Sequence, residues 1–293
     1  LLGPNNPVTL EWKNNEGLIF RKIISLDEKF LFRINQEVQN NSNKNVELFP
    51  YAQITRNKKP DDVQGFYILH EGFIGVFDGD LKEDGYEDIK DKKISREAKN
   101  GWLGITDKYW MTAVVPPKDE SFKSTFLYKD VFKANYILNS PVLINSSSKA
   151  NNEIRLFAAA KEVDTVDGYA ESESIEKFDL VIDWGWFYFF TKPLFFVIDY
   201  LFKISGNFGI AIVLITLAIR IIFFPLANYS FRSMAKMKAL QPEMTRLKEI
   251  HKDDKVKLQQ EMMALYRKEK INPASGCLPI LIQIPFFFAI YKM

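Results

Sequence analysis

The stretch FGIAIVLITLAIRIIFFPL, from Phe208 to Leu226, decides the architecture of this chain. It holds 19 residues and one charged side chain, Arg220. Because an α-helix rises about 1.5 Å per residue, the run is long enough to cross a hydrocarbon core of about 30 Å. The sequence therefore predicts a transmembrane helix at 207–227, with the flanking regions in different compartments.

The two flanks of this helix differ in charge. Residues 1–183 hold 24 Lys and Arg against 30 Asp and Glu, whereas residues 227–270 hold 11 against 6. Short basic segments beside a span stay in the cytoplasm, so we expect the acidic region outside and the basic segment inside. The single cysteine, Cys277, excludes an intrachain disulfide framework.

The amino-terminal region alternates apolar and polar residues in short runs between turn-forming clusters, which is the period of half-buried strands. The alternating residues are Val8, Leu10 and Trp12; Phe30, Phe32 and Ile34; Val46 and Leu48; Phe66 and Ile68; Tyr109, Met111 and Ala113; and Ile154, Leu156 and Ala158. A dozen or so short strands of this kind predict a large antiparallel β-sandwich over residues 1–180.

The segment 184–204 is aromatic and aliphatic, and Lys192, Asp199 and Lys203 share one helical face. This pattern predicts an amphipathic helix in the membrane interface, and the alternative is a helix packed on the sandwich. Beyond the span, apolar residues recur every three or four positions and predict a cytoplasmic hairpin of two helices over 228–270. Asp253 or Asp254 would cap the second helix.

The two ends of the chain suggest a piece of a longer protein. The opening LLGPNNPVTL lacks the features of a leader, which suggests that the natural amino terminus lies elsewhere. Residues 273–293 open like another membrane helix, which the chain's end cuts short.

Arg220 is the residue that most requires a function, because a guanidinium in a membrane helix costs at least about 2.5 kcal/mol. It could hold a wet cavity open to the cytoplasm, with Thr216 one turn earlier on the same face. The alternatives are an arginine that extends to the headgroups and one that pairs with a carboxylate on another helix.

The predicted hairpin is rich in methionine, a flexible and polarisable side chain that suits an adaptable apolar binding surface. Its methionines are Met234, Met237, Met244, Met262 and Met263. The equally good alternative is that they fill the seam between the two helices, with the Lys and Arg residues as a solvated face drawn to anionic lipid or ribosomal RNA.

Signatures of enzymes are scarce in this sequence. The histidines, His70 and His251, are predicted on opposite sides of the membrane, and we find no phosphate-binding glycine loop or nucleophile elbow. The sequence therefore predicts no catalytic residue, no metal site and no cofactor.

Two stretches carry a resemblance to a known family. FGIAIVLITLAIRIIFFPLANYSFRSMAKMKALQPEM (208–244) and QQEMMALYRKEKINPASGCLPILIQIPFFFAIY (259–291) resemble the core of the YidC-type membrane protein insertases (the YidC/Oxa/Alb family). The preceding sandwich, with GWLGITDKYWMTAVVPP (101–117), is similar to the periplasmic domain of the Gram-negative members, whose fold is related to sugar mutarotases.

The resemblance implies an insertase and chaperone of the bacterial inner membrane, without nucleotide or metal. It implies that Arg220, with Thr216 beside it, lies in a hydrophilic groove and receives the polar tail of a substrate. It also implies that Ile284, Pro285 and Phe287 lie where the substrate slides, and that the hairpin recruits substrate. The implied partners are nascent membrane proteins, the lipid bilayer, the Sec translocon and the ribosome, and not DNA.

Two other functions compete with insertion. The first is a membrane-anchored envelope protein whose sandwich binds a ligand or scaffolds a complex, and it predicts that Arg220→Ala leaves function intact. The second is a catalytic sandwich, and it predicts that deletion of residues 1–161 abolishes activity.

Overall fold

The computed structural model describes residues 1–61, 63, 69–252, 254–269, 276 and 278–292. The chain divides into two compact units, Leu1–Asp183 and Trp184–Met293. We call them the sandwich unit and the helical unit.

The sandwich unit is built almost entirely from antiparallel strands. They are β1 (Val8–Lys13), β2 (Leu18–Leu26), β3 (Leu31–Asn40), β4 (Val46–Leu48), β5 (Tyr51–Arg56), β6 (Gly72–Phe77), β7 (Asp80–Gly85), β8 (Ile94–Ala98), β9 (Gly101–Thr106), β10 (Trp110–Val115), β11 (Phe122–Lys129), β12 (Val131–Leu138), β13 (Val142–Ile144) and β14 (Lys149–Ala160). The short helices α1 (Tyr86–Asp91) and α2 (Val163–Ser172) and a 3₁₀ turn (Phe178–Val181) complete the unit.

Two main sheets form the layers. The larger has the order β1-β2-β3-β14-β10-β9-β6-β7 and the smaller the order β5-β12-β11-β8, while β13 and β4 form a separate pair. Fully buried side chains of both sheets meet in one core, which includes Phe73 and Leu103 from the larger sheet and Phe122, Phe126 and Tyr136 from the smaller. The predicted antiparallel β-sandwich is confirmed.

The larger sheet is covered on its other face as well. Trp102 is fully buried there, donates its indole N–H to the Glu176 carbonyl (3.1 Å) and meets the Phe178 ring edge-on at 5.5 Å. Val166 and Tyr169 of α2 join this second core. A strand covered on both faces should be apolar throughout, and all six residues of β6 are buried.

The predicted alternation falls on observed strands, with two small differences at turns. Phe30 lies before β3 with φ 66°, and Tyr109 lies before β10. A positive φ takes a residue out of the extended conformation that pairing requires, so β3 begins at Leu31. Phe66 and Ile68 lie outside the described residues.

The helical unit contains α3 (Tyr188–Ser205), α4 (Phe208–Ala239), α5 (Gln241–Ile250), α6 (Lys255–Lys268) and α7 (Leu278–Lys292). Among the described residues, α4 alone is long and apolar enough to cross a membrane, and Pro279–Lys292 is a shorter apolar helix. Asn207 caps α4 by accepting hydrogen bonds from the N–H groups of Gly209 (2.9 Å) and Ile210 (3.2 Å). Asp254 caps α6 by accepting from the N–H of Lys257 (2.9 Å), as expected.

The long helix α4 continues well past the predicted end of the span at residue 227. Pro225 lies inside it without ending it. The helix instead ends before Leu240, because Pro242 has no N–H with which to continue the i→i−4 hydrogen bonds of α4, and it lies at the start of α5, where a proline is tolerated. The first part of the predicted hairpin is therefore continuous with the span, and α5 and α6 form the hairpin beyond it.

Candidate functional site

The inner face of α4 is defined by its packing against α3 and α7. Ala211, Ile215 and Ile219 are buried at intervals of four residues, and Ile198 of α3 joins them in one cluster. The Phe223 ring extends this face and meets the Phe286 ring of α7 at 5.2 Å. The phase of α4 is thus set by residues 211, 215, 219 and 223.

Arg220 and Thr216 lie away from the centre of that face. Successive helical residues are rotated by about 100°, so Arg220 points well to one side of Ile219. Arg220 is exposed and Thr216 half-buried. Thr216 donates its hydroxyl to the Ile212 carbonyl (2.7 Å), and Arg220 makes no hydrogen bond or ion pair with the residues that the structure describes. The guanidinium is therefore accessible to groups outside the α3–α4–α7 packing.

On α7, the packing side chains alternate with the predicted groove residues. Ala289 is fully buried and Phe286 contacts α3 as well, through the Phe190 ring at 5.2 Å. Ile284 and Phe287 are 49% and 55% exposed, and Pro285 between them is half-buried. No hydrogen bond, ion pair or ring contact among the described residues joins this set to Arg220 or Thr216. The structure instead connects α4 and α7 through their phenylalanines.

These aromatic contacts were not predicted from the sequence. They connect α7 to α4 through the rings of Phe223 and Phe286, and to α3 and its amino-terminal cap through Phe190–Phe286 and Phe187–Phe288. The available signal was the run of three phenylalanines at 286–288. The first and third contact other rings, whereas Phe287 contacts no ring in the part of the chain that the structure describes.

Two of the three charged residues predicted on one face of α3 form an ion pair. The Lys203 ammonium lies 2.6 Å from the Asp199 carboxylate. Lys192 lies instead over the rings of Trp184 and Tyr188, at 5.9 and 5.8 Å from their centroids. Because a lysine above an aromatic ring keeps its charge partly solvated, this arrangement suits a boundary between apolar and aqueous surroundings.

The hairpin methionines divide between the two interpretations. Met244 accepts a hydrogen bond from the Tyr266 hydroxyl (3.7 Å), and Met262 and Met237 are half-buried. Met234 and Met263 are 40% and 48% exposed. Met244 on α5 and Met262 on α6 fit the seam interpretation. Met234 and Met237 lie instead on α4, and the exposed Met234 and Met263 are available to a partner.

The sandwich unit holds a polar cluster that the sequence did not reveal. Arg56 donates to both carboxylate oxygens of Asp107 (2.7 and 2.6 Å), and Lys161 donates to the Thr106 hydroxyl (3.0 Å). Burial lowers the pKa of Lys161 to about 8, although Asp183 and Asp107 act in the opposite direction. These residues come from the ends of different strands, so no local motif marks them.

His70 belongs to the same end of the sandwich and has a structural role. It is buried, its ring nitrogen Nε2 lies 2.9 Å from the Phe73 carbonyl, and its backbone N–H donates to the Asp183 carboxylate (2.9 Å). The other histidine, His251, ends α5. Within the described ranges, no group of three or more His, Cys, Asp or Glu side chains could hold a metal ion.

Two family models match the chain. The model described as the YidC periplasmic domain matches residues 2–197, and the model described as the 60Kd inner membrane protein matches residues 200–293. Together they cover both the sandwich unit and the helical unit.

Two similar proteins carry the same name. A "Membrane protein insertase YidC" of Pelagibacter ubique is 56% identical over 289 residues, which are 99% of this chain and 52% of that protein. The protein of the same name in Bradyrhizobium diazoefficiens is 48% identical over 307 residues, covering 100% of this chain and 49% of that one. The chain thus spans about half the length of the curated relatives it matches.

Solved structures overlap with the chain more loosely. A crystal structure of an active YidC insertase gives a TM-score of 0.33 at 16% identity, over 98% of this chain and 73% of that one. A galactose mutarotase related enzyme from Lactobacillus acidophilus gives a TM-score of 0.39 at 12% identity, over 52% of this chain and 67% of that one.

Proposed function

Because the chain belongs to the YidC family, we propose that the protein containing it inserts membrane proteins into the bacterial inner membrane and helps them to fold. The sandwich unit is then periplasmic, the α5–α6 hairpin is cytoplasmic, and α4 is one of several spans. The names of the relatives support this function, and the exposed Arg220 on α4 is the observation in this chain that carries the mechanism.

The proposed mechanism uses the position of Arg220 outside the α3–α4–α7 packing face. In a span of 19 residues with no other charge, the guanidinium can lower the cost of bringing a polar or acidic substrate tail partway into the bilayer. A hydrogen bond to a charged group contributes about 1.5 to 3 kcal/mol. Thr216 lies one turn away on the same side and adds a polar contact.

The apolar part of the substrate takes a different path. Ile284 and Phe287 present exposed side chains on α7, with Pro285 between them, and this surface can pass an apolar segment to lipid. Met263 on the hairpin and Met234 near the end of α4 are exposed and can accept apolar segments of varied shape. Met244 and Met262 are half-buried on the hairpin and Met237 is half-buried on α4, so these three support that surface. The ribosome and the Sec translocon are the partners we propose for delivery.

The test of the arginine mechanism uses full-length protein with Arg220→Ala, Arg220→Lys or Arg232→Ala, at matched expression. Arg232 is also exposed on α4 and serves as the control for loss of a charge. The substrate is a single-span protein with an acidic external tail, and insertion is scored by protease protection. We expect Arg220→Ala to lower insertion about tenfold or more, from the energy of one charged hydrogen bond, and the other two variants to insert well.

A substrate whose tail acids are changed to amides separates the possible outcomes. The loss caused by Arg220→Ala should shrink with this neutral tail. Equal insertion by wild type and Arg220→Ala would instead favour a membrane-anchored binding or scaffolding protein.

The α7 surface can be tested by crosslinking to a nascent membrane protein. A photoreactive side chain at the exposed Ile284 should capture the substrate, and one at the fully buried Ala289 should not. Equal capture from both positions would contradict a substrate path along the exposed side of α7.

A further inference from the structure

Three large aromatic side chains are exposed at one end of the sandwich unit. Tyr109 in the β9–β10 turn and Trp110 at the start of β10 are 64% and 63% exposed, and Phe30 in the β2–β3 turn is 55% exposed. The carboxyl end of β14 lies between the two turns, since Ala158 donates its N–H to the Phe30 carbonyl (3.4 Å) and Lys161 donates to that of Tyr109 (2.9 Å). We call these three residues the aromatic end. A group of exposed large apolar side chains marks an interaction surface.

The β9–β10 turn is held in place by hydrogen bonds. The Asp107 N–H donates to the Trp110 carbonyl (2.8 Å), and the Asp107 carboxylate is bound by both contacts from Arg56. The Lys108 ammonium lies 5.1 Å from the centroid of the Tyr109 ring. Because the turn is already ordered, its aromatic side chains can enter a binding surface with little further loss of conformational entropy.

The chain leaves the sandwich at this same end. Asp183, the last residue of the unit, accepts a hydrogen bond from the His70 N–H, and its charge acts on Lys161, which adjoins Tyr109. From Asp183 the chain continues into the helical unit, which contains the membrane-spanning candidate α4. The aromatic end therefore lies at the end of the sandwich from which the chain continues to the helical unit.

We propose that the aromatic end docks into the headgroup region of the lipid bilayer. Tryptophan and tyrosine concentrate at membrane interfaces, where the ring is apolar and its polar edge stays wet. The surface belongs to the sandwich unit and is independent of the part proposed for Arg220. It adds a second membrane contact to a protein already anchored by its spans.

The charges around the aromatic end specify the kind of lipid contact. Lys29 and Lys108 are exposed beside it, but so are Glu28, Glu162 and Asp164. Charges of both signs give little net attraction to anionic lipid. The docking is therefore driven by the aromatic rings and does not depend on lipid charge.

The opposite end of the sandwich provides matched controls. Trp12, near the end of β1, and Tyr51, at the start of β5, are each 62% exposed, which is close to the exposure of Trp110 and Tyr109. Trp12 pairs with Phe20, close to the point where Leu18 pairs with Asn40 at the end of β3 opposite to Phe30. Tyr51 is likewise remote from Asp107, because β5 reaches Asp107 only at Arg56, its other end. Labels at the two ends differ in position and not in exposure.

The test uses full-length protein with its native cysteines replaced and one nitroxide-labelled cysteine at residue 110 or 12, reconstituted in phosphatidylcholine vesicles. Collision of the nitroxide with oxygen, which concentrates in lipid, is compared with collision with a water-soluble nickel complex. We expect the oxygen-to-nickel ratio to be several-fold higher at 110 than at 12. The ratio should not change with added phosphatidylglycerol or with salt that shortens the Debye length to about 3 Å.

The label at residue 110 replaces one of the aromatic side chains proposed to contact lipid, so a second label position is needed that leaves all three in place. A nitroxide at Lys108 should show the same lipid contact, and Tyr109→Ser with Trp110→Ser should abolish it. Water-like ratios at 110 and 108, or lipid contact that survives the double substitution, would overturn the proposal. Spin–spin broadening between copies at 110 would assign the surface to self-association and would overturn it as well.

Discussion

Gly101 is the position where a single methyl group should have the largest effect on the sandwich unit. It pairs with Phe77 at one end of the β6–β9 pairing and has a φ of +137°, which residues with a side chain rarely adopt. A Cβ built there lies 1.9 Å from the Val76 carbonyl oxygen and 2.8 Å from its carbon, both of them backbone atoms. Gly101→Ala therefore cannot be accommodated by rotating a side chain.

The cost has two parts. Backbone strain at an unfavourable φ costs about 1 to 3 kcal/mol. Moving the strand away from Val76 weakens one or two ladder hydrogen bonds, each worth about 0.5 to 1.5 kcal/mol. We expect the free energy of unfolding to fall by about 3 to 5 kcal/mol, which at an m value of about 2 kcal/mol/M lowers the urea midpoint by about 2 M.

Gly168→Ala is the matched control. Gly168 lies inside α2 and is exposed, and a Cβ there meets nothing within 4 Å. Alanine should stabilise that helix by about 0.5 to 1 kcal/mol.

Urea unfolding of the detergent-solubilised protein, followed by tryptophan fluorescence, measures both variants. The fully buried Trp102, next to Gly101, should shift to the red when the sheet opens. Free energies of unfolding for Gly101→Ala and Gly168→Ala that agree within about 0.5 kcal/mol would refute the close approach of β9 to β6.

Two further predictions concern the buried lysine and the aromatic seam. The folded-state pKa of Lys161 lies near 8 and the unfolded value near 10.5, so the unfolded chain binds more protons between those pH values and stability should rise across them. In thermal unfolding, the difference in stability between wild type and Lys161→Met should change from pH 8 to 10.5 and stay constant below pH 7. Phe286→Ala removes two ring contacts at 5.2 Å and should destabilise the helical unit by about 1 to 3 kcal/mol in thermal unfolding in micelles. Phe287→Ala, at a 55% exposed position, should leave thermal unfolding unchanged. Equal losses of stability in the two variants would contradict the packing of α7.

The Lys161 cluster also has a consequence for stability at neutral pH. A lysine that is held charged in a partly desolvated site destabilises the folded state, and the nearby carboxylates of Asp183 and Asp107 offset part of that cost. Asp183 also accepts a hydrogen bond from the His70 N–H. The point where the chain leaves the sandwich is therefore held by this hydrogen bond and by the attraction between Asp183 and Lys161.

The sequence by itself determined the class of each unit. Alternation at Val8, Leu10 and Trp12, and again at Met111 and Ala113, predicted strands because the two-residue period of a half-buried strand is a local property. The apolar run around Arg220 predicted the membrane-spanning helix for an equally local reason, since the length and hydropathy of one segment decide whether it can cross the bilayer. A cap at Asp253 or Asp254 followed from side-chain chemistry within one turn, and Asp254 provides it.

Only the tertiary structure decided how distant segments meet. β14 lies between β3 and β10, a pairing that closes loops of very different lengths and leaves no local signature. The same applies to the convergence of Arg56, Asp107 and Lys161.

The helical unit shows the same limit in a simpler form. The sequence placed Arg220 and Ile219 side by side in one span, and it could not say which of them packs inward. The contact between Phe223 and Phe286 fixes the phase of α4, so that Ile219 is buried and Arg220 exposed. A helix carries its periodicity in its own sequence, but the direction of its packed face is set by the neighbouring helices, which lie far away along the chain.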